Sequence, residues 1–153
     1  IWEDKASMNA KKENDYIGVS VSGKMTSKKG TSSAICYKLV HRFYANFLTK
    51  EFIVSGRRGV FRIVEPIVND PGNSFKLKND STVIIETTSP KAEWELSIIN
   101  SSVPCHISLG NEAAKYWCPF PGVEAYPVII SFETQSDAPQ SITISLGRKS
   151  KTK

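Results

Sequence analysis

The chain has 153 residues, of which 40% are apolar and 10% are aromatic, and this composition excludes a wholly disordered protein. No apolar run approaches the roughly 18 residues that a membrane-spanning helix needs. The length predicts one domain over residues 1–153 with its own hydrophobic core, and the polar ends, residues 1–13 and 148–153, are expected to be flexible.

The net charge of +5 at pH 7 is unevenly distributed along the chain. Residues 1–64 carry twelve Lys and Arg against five Asp and Glu, whereas residues 65–146 carry four against ten. The basic tail begins at Gly147. The basic pairs lie beside turn-forming or polar residues in separate segments, and this disfavours a nucleic-acid partner. An acidic glycan or an anionic membrane surface would suit the same charge.

The first third of the chain contains one clear strand and one ambiguous segment. Residues 16–25 alternate apolar with small or polar side chains and predict a strand, followed by a polar loop over residues 26–33. Residues 34–49 fit a period of 3.6 better than a period of 2, which is interrupted at His41, so we predict one helix near residues 33–49. A long strand is the alternative. The apolar side of that helix would consist of Ile35, Cys36, Leu39, Val40, Phe43, Tyr44, Phe47 and Leu48.

The remaining two thirds is a series of short alternating segments separated by turn residues. Gly56 and Gly59 bracket two arginines between two such segments and predict a hairpin. Turn signals every 8–12 residues are typical of antiparallel folds, so we predict a mainly β protein, an antiparallel β-sandwich or small barrel, with one helix at most. The predicted strands are residues 52–55, 60–64, 74–78, 82–87, 93–99, 105–109, 128–134 and 141–146.

The three cysteines bear on the cellular compartment. Cys105 and Cys118 flank a stiff segment, and their spacing predicts a disulfide that leaves Cys36 free. Two glycosylation sequons, at Asn79 and Asn100, lie in predicted turns. These features favour a secreted, extracellular protein; three buried thiols in a cytosolic protein are the alternative.

The segment 115–127 concentrates four aromatic residues with three prolines. Prolines remove backbone donors, so the segment is expected to be an irregular loop. Its aromatic residues would either plug the core or contact a partner, and we predict a partner-binding surface. Its anchors would be Tyr116, Trp117, Phe120 and Tyr126, with Arg57 and Arg58 at the predicted hairpin tip supplying charge that suits a carboxylate, sulfate or phosphate.

Catalytic patterns are incomplete. His41, with Lys38 or Arg42 to hold a phosphate, could act with His106 in a metal-free ribonuclease or phosphodiesterase, but only His106 begins a His-x-Ser-apolar motif. Glu93 and Glu95 lie on one face of one strand, which does not suit a glycosidase. We therefore predict no catalytic residues, and the cysteine and histidine spacing predicts no metal site and no cofactor.

Together these observations predict a secreted, non-enzymatic β-sandwich that binds a host protein or a glycan, in the manner of a virulence effector. A membrane-active, cytolysin-like protein and the phosphodiesterase are the alternatives.

Overall fold

A computed structural model describes residues 2–3, 6–26, 32–70, 72–110 and 124–149. Within these ranges the chain forms twelve strands and no helix. The strands are β1 (Trp2–Glu3), β2 (Ser7–Lys12), β3 (Ile17–Thr26), β4 (Ser32–Phe43), β5 (Phe47–Ser55), β6 (Gly59–Val68), β7 (Ser74–Asn79), β8 (Thr82–Thr88), β9 (Lys91–Ser101), β10 (Cys105–Leu109), β11 (Ala125–Thr134) and β12 (Gln140–Arg148).

The strands form two antiparallel sheets. The large sheet has the order β1-β3-β4-β5-β12-β9-β8-β7, with β2 also paired to β3, and the small sheet has the order β10-β11-β6. One cluster of buried side chains joins the two sheets and includes Leu96 and Ile144 from the large sheet and Ile107 and Ile130 from the small one. The predicted antiparallel β-sandwich is confirmed.

Alternation along each strand builds this core. In β12, Ile142 and Ile144 are each 1% exposed, whereas the side chains between them are only half-buried. Burying a side chain of this size stabilises the fold by about 1.5–3 kcal/mol relative to leaving it in water. The inward side chains of both sheets therefore supply most of the stability, and the outward ones are free for other roles.

The predicted helix near residues 33–49 is wrong, and the alternative of a strand is correct. β4 and β5 form an antiparallel hairpin across residues 44–46, with Leu39 opposite Phe52 and His41 opposite Lys50. His41 interrupts the period of 2 at a position that lies opposite Lys50 and close enough to Glu65 to be affected by its charge, so charged side chains form part of its surroundings. Pairing with β3 on the other side makes β4 an interior strand, which overrides the helical pattern.

The predicted hairpin around Gly56 and Gly59 is also wrong. β5 belongs to the large sheet and β6 to the small sheet, so the connection crosses from one layer of the sandwich to the other. Gly56 has a φ of +91°, and a Cβ atom at this position would lie 2.0 Å from the carbonyl oxygen of Ala34. Glycine at this position therefore allows the crossover to pass close to β4.

Part of the N-terminal segment that was expected to be flexible forms a strand. β2 pairs with β3 over six residues, although every side chain of β2 is exposed. Residues 150–153 of the predicted flexible tail lie outside the described residues.

Candidate functional site

The ends of four neighbouring strands form a groove at one end of the large sheet. Strand register places Leu48 opposite Leu146, and Arg148 opposite Trp94. The groove has a volume of about 850 Å³, and we call it the aromatic groove. It is lined by residues 43–48, residues 91–94, Leu146, Arg148 and Lys149.

The aromatic side chains of this groove are ordered against one another. The rings of Tyr44 and Phe47 are stacked with centroids 4.3 Å apart, and the centroids of the Tyr16 and Tyr44 rings are 5.3 Å apart. Phe43 and Phe47 remain 44% and 43% exposed, and Trp94 packs against the core while lining the groove. Exposed rings held in fixed orientations offer a large contact area at a small cost in side-chain entropy.

Gly147 makes room for this arrangement. It lies opposite Phe47 in the register of β5 and β12, and a Cβ atom on it would come within 2.9 Å of the Phe47 Cβ atom. The small residue thus permits the close approach of the two strands at the mouth of the groove.

Three basic side chains line the same groove. The Lys149 ammonium donates a 2.6 Å hydrogen bond to the Glu93 carboxylate, and this bond raises the pKa of Lys149 above its ordinary value. Lys91 and Arg148 are exposed, and no ion pair ties down either of them within the described ranges. The groove therefore presents two uncommitted positive charges beside its aromatic rings.

A second group of ionisable residues lies between the two sheets. Lys50 of β5 donates to the Glu65 carboxylate of β6, and their side chains are only 18% and 9% exposed. His41, opposite Lys50 in the register, is half-buried. Burial, and next the positive charge of Lys50, lowers the pKa of His41, while Glu65 acts in the opposite direction. The imidazole is therefore neutral near pH 7.

The structure does not bring the two histidines together. His106 is exposed on β10 of the small sheet, and the adjacent Ile107 points into the core, so His106 faces outward. His41 faces the space between the sheets. Arg42, one of the two predicted phosphate-holding residues, is engaged by Glu51 at 3.0 Å, and Lys38, the other, is exposed.

The other residues singled out in the sequence lie apart from the aromatic groove. Arg57 and Arg58 are exposed in the crossover at the opposite end of β5. Tyr126 is half-buried, stacks on Phe75 at 4.3 Å and donates a 2.7 Å hydrogen bond to the Gly110 carbonyl. The remaining predicted anchors lie outside the described residues; they are Tyr116, Trp117 and Phe120.

Cysteine and carboxylate chemistry offers no further site in the described part of the chain. Cys36 and Cys105 both carry free thiols, so the structure does not support the predicted Cys105–Cys118 disulfide; Cys118 itself lies outside the described residues. Glu93 pairs with Lys149, and Glu95 lies 3.5 Å from Lys78. Across the described ranges no three His, Cys, Asp or Glu side chains come close enough together to hold a metal ion, and no helix is long and apolar enough to cross a membrane.

Sequence reasoning missed the aromatic groove because its parts are far apart in the chain. Residues 93–99 were predicted as a strand, Phe43 and Phe47 were assigned to a helix, and Lys149 to a flexible tail. The available signal was the concentration of aromatics at residues 43–47, but only the pairing of β5 with β12, and of β12 with β9, brings these segments together.

The fold and the groove define a β-sandwich domain with an open groove lined by aromatic and basic side chains. The chain belongs to the family of ulvan lyase C-terminal domains, whose sequence profile matches residues 1–146. No curated protein matches the chain.

Solved structures with the same fold carry related names. The heparan sulfate lyase HepC from Pedobacter heparinus superposes with a TM-score of 0.71 at 10% identity, over 97% of this chain and 22% of that one. A heparinase III gene product superposes with a TM-score of 0.62 at 10% identity, over 95% of this chain and 22% of that one. At this identity the likeness shows the fold alone, and the chain spans about a fifth of the length of these proteins.

The family corrects the function predicted from the sequence. The prediction of a non-enzymatic effector is wrong, because the chain belongs to the family of ulvan lyase C-terminal domains. The cytolysin-like and phosphodiesterase alternatives are wrong for the same reason. Glycans were one of the two predicted partner classes, and the relatives are named for glycans, ulvan and heparan sulfate.

Proposed function

We propose that this chain is part of a polysaccharide lyase and that its aromatic groove holds an acidic polysaccharide. The observation that carries the proposal is that, in a member of the ulvan lyase C-terminal domain family, exposed rings and free cations line one groove. The likeness to a protein named as a heparan sulfate lyase supports the same class of ligand, because heparan sulfate is a polyanion.

The aromatic rings suit the apolar faces of sugar residues. A pyranose ring presents a face of C–H bonds, which packs on an aromatic ring through dispersion and the exclusion of water. Phe43 and Phe47 provide exposed rings for this contact, and the stack of Tyr44 on Phe47 fixes one of them in place. Because the rings are already ordered, binding costs little side-chain entropy.

The basic residues favour an acidic polysaccharide over a neutral one. The Arg148 guanidinium has the planar geometry that pairs with a carboxylate or a sulfate through two parallel hydrogen bonds, and Lys91 adds a second charge. Each charge-assisted hydrogen bond is worth about 1.5–3 kcal/mol, whereas a neutral chain would leave both cations without a partner. Lys149 is already engaged by Glu93, so it contributes less.

In this proposal the domain serves the lyase by holding the polymer close to the bond that is cleaved. A chain held at a fixed position reacts at a high effective concentration, even when the reacting groups belong to another part of the protein. Polysaccharides do not cross membranes unaided, so we also propose an extracellular location, which agrees with the expectation from the sequons.

Binding measurements with the 153-residue chain test this function. Isothermal titration with heparan sulfate, with ulvan and with neutral dextran should show binding to the two acidic polymers only. Phe47→Ala and Arg148→Ala alter exposed side chains of the groove, and each should weaken binding about tenfold or more. The melting temperature of each variant verifies that it remains folded.

A matched control separates recognition from general charge. Lys12 is exposed on β2 and does not line the groove, and Lys12→Ala removes the same charge as Arg148→Ala. The control should bind acidic polysaccharide as the wild type does. Equal losses in Lys12→Ala and Arg148→Ala, or equal binding of dextran and heparan sulfate, would refute the groove as the site.

The predicted anchors Tyr116, Trp117, Phe120 and Tyr126 remain proposals as additional glycan contacts. Tyr126 has the smallest part in this proposal, because its ring is stacked on Phe75 and its hydroxyl is bonded to Gly110.

A further inference from the structure

A second basic surface lies at the other end of the sandwich. The crossover from β5 to β6 carries Arg57 and Arg58, and the start of β6 carries Arg62, all three exposed. They line a groove of about 640 Å³, which we call the arginine groove. Its other lining residues are Met25, Ile35, Gly59, Val60 and Phe61.

The backbone that carries the two crossover arginines is fixed on both sides. The Gly56 N–H donates a 2.9 Å hydrogen bond to the Asp137 carbonyl, and the buried Thr134 hydroxyl donates a 2.8 Å hydrogen bond to the Arg57 carbonyl. Gly56 lies against the Ala34 carbonyl, where no side chain would fit. A surface turn that served only solubility would not need this anchoring, whereas a binding site benefits from it because less entropy is lost when a ligand binds.

The three guanidinium groups have no ionic partner within the part of the chain that the structure describes. In residues 2–3, 6–26, 32–70, 72–110 and 124–149, no carboxylate forms an ion pair with Arg57, Arg58 or Arg62. The nearby Asp137 is bonded to Gly56 through its main-chain carbonyl. Three like charges in one groove repel one another, and an anion would relieve that repulsion.

We propose that the arginine groove is a second anion-binding site, which takes a sulfate ester or a carboxylate carried on a sugar. The guanidinium geometry pairs with such planar or tetrahedral oxyanions through two parallel hydrogen bonds. Met25 and Phe61 supply apolar lining on which the C–H face of the sugar packs, whereas Ile35 is only 7% exposed and adds little. The identity of the ligand as a glycan rests on the proposed function, whereas the anion site itself does not.

Nuclear magnetic resonance of the folded chain tests the site directly. Sodium sulfate is titrated against sodium chloride at constant ionic strength, and the amide signals of Gly56, Gly59 and Val60 are followed. Saturable sulfate-dependent shifts are expected in the wild type and in Arg148→Ala, which alters only the aromatic groove. The double variant Arg57→Ala/Arg58→Ala should lose them, with at least a tenfold weaker apparent affinity. Lys76→Ala/Lys78→Ala, which removes two exposed charges from β7, should keep them.

Three oligomers then identify the class of ligand. A heparan sulfate oligosaccharide tests both anions together, its desulfated form tests carboxylates alone, and poly-glutamate of equal charge tests charge without sugar. Saturation at the arginine groove by either oligosaccharide, with weaker binding of poly-glutamate, supports the proposal and shows which anion is recognised. Equal binding of poly-glutamate, or shifts that are the same in the arginine and lysine double variants, overturns it. A loss of polysaccharide binding to the aromatic groove would leave the sulfate result unchanged, so the two proposals fail separately.

Discussion

At the scale of the residue, His41 interrupts the alternation of apolar side chains along β4, and its charged neighbours account for this. It occupies an inward position of β4, where alternation calls for an apolar residue, but the positions that face it hold Lys50 and Glu65. Burial, and next the charge of Lys50, keeps the pKa of His41 below its ordinary value, so the folded protein holds a neutral imidazole beside an ion pair.

We predict that His41 makes the protein less stable as the pH falls below about 6.5, the ordinary histidine value. In the unfolded chain His41 is protonated through that range, whereas in the folded chain its lowered pKa keeps it neutral until a lower pH. The unfolded state then binds more protons, so the free energy of unfolding decreases as the pH falls through this window. Urea unfolding at pH 7.5 and 5.5 should show a smaller decrease for His41→Gln than for the wild type.

His106→Gln is the matched control for this measurement, since its side chain is exposed on the outward face of β10. The control variant should retain the decrease seen in the wild type between pH 7.5 and 5.5. If His41→Gln also retains the full decrease, the loss of stability in acid has another source.

At the scale of the element, the Lys50–Glu65 pair is a polar contact between β5 of the large sheet and β6 of the small one. Both side chains are largely buried, so each charge depends on the other for compensation. Buried ion pairs add little to stability compared with apolar residues of similar size, but breaking one leaves an uncompensated buried charge.

We predict that Lys50→Met lowers the free energy of unfolding by about 3–5 kcal/mol, because Glu65 is left buried and unpaired. The double variant Lys50→Met/Glu65→Leu should recover most of this loss, since it removes the unpaired charge as well as its partner. Urea denaturation of the two single variants and the double variant measures the coupling. A double variant that loses the sum of the two single losses would show that the pair is not coupled.

The strands themselves were largely predictable from the sequence, whereas their partners were not. Alternation in residues 93–99 and 141–146 corresponds to β9 and β12, because each has one face in the core. The crossover at Gly56 resembles a hairpin turn locally, and only the assignment of β6 to the small sheet shows that it is not one. The aromatic groove depends on the pairing of β5 with β12 and of β12 with β9, so no single segment of the sequence predicts it.

At the scale of the whole molecule, the two basic surfaces lie at opposite ends of the sandwich. The aromatic groove is at the Phe47 end of β5 and the arginine groove follows its Ser55 end. A strand of 9 residues spans about 30 Å. The net charge of +5 is therefore a sum over unlike regions. Basic side chains line a groove at each end of the sandwich, whereas residues 65–146 carry more acidic than basic residues.

We predict that this arrangement makes binding depend on the length of the polysaccharide. An acidic oligosaccharide shorter than about 30 Å can occupy only one groove at a time, whereas a longer polymer that follows the surface can occupy both and gains affinity because its second contact is intramolecular. The ratio of long-chain to short-chain affinity, measured by isothermal titration at one salt concentration, should therefore be largest for the wild type. Arg148→Ala and Arg57→Ala/Arg58→Ala each disable one end, and either should reduce that ratio at least tenfold if both grooves hold the same chain. A ratio that is the same in the wild type and in both variants would mean that the grooves bind separate ligands.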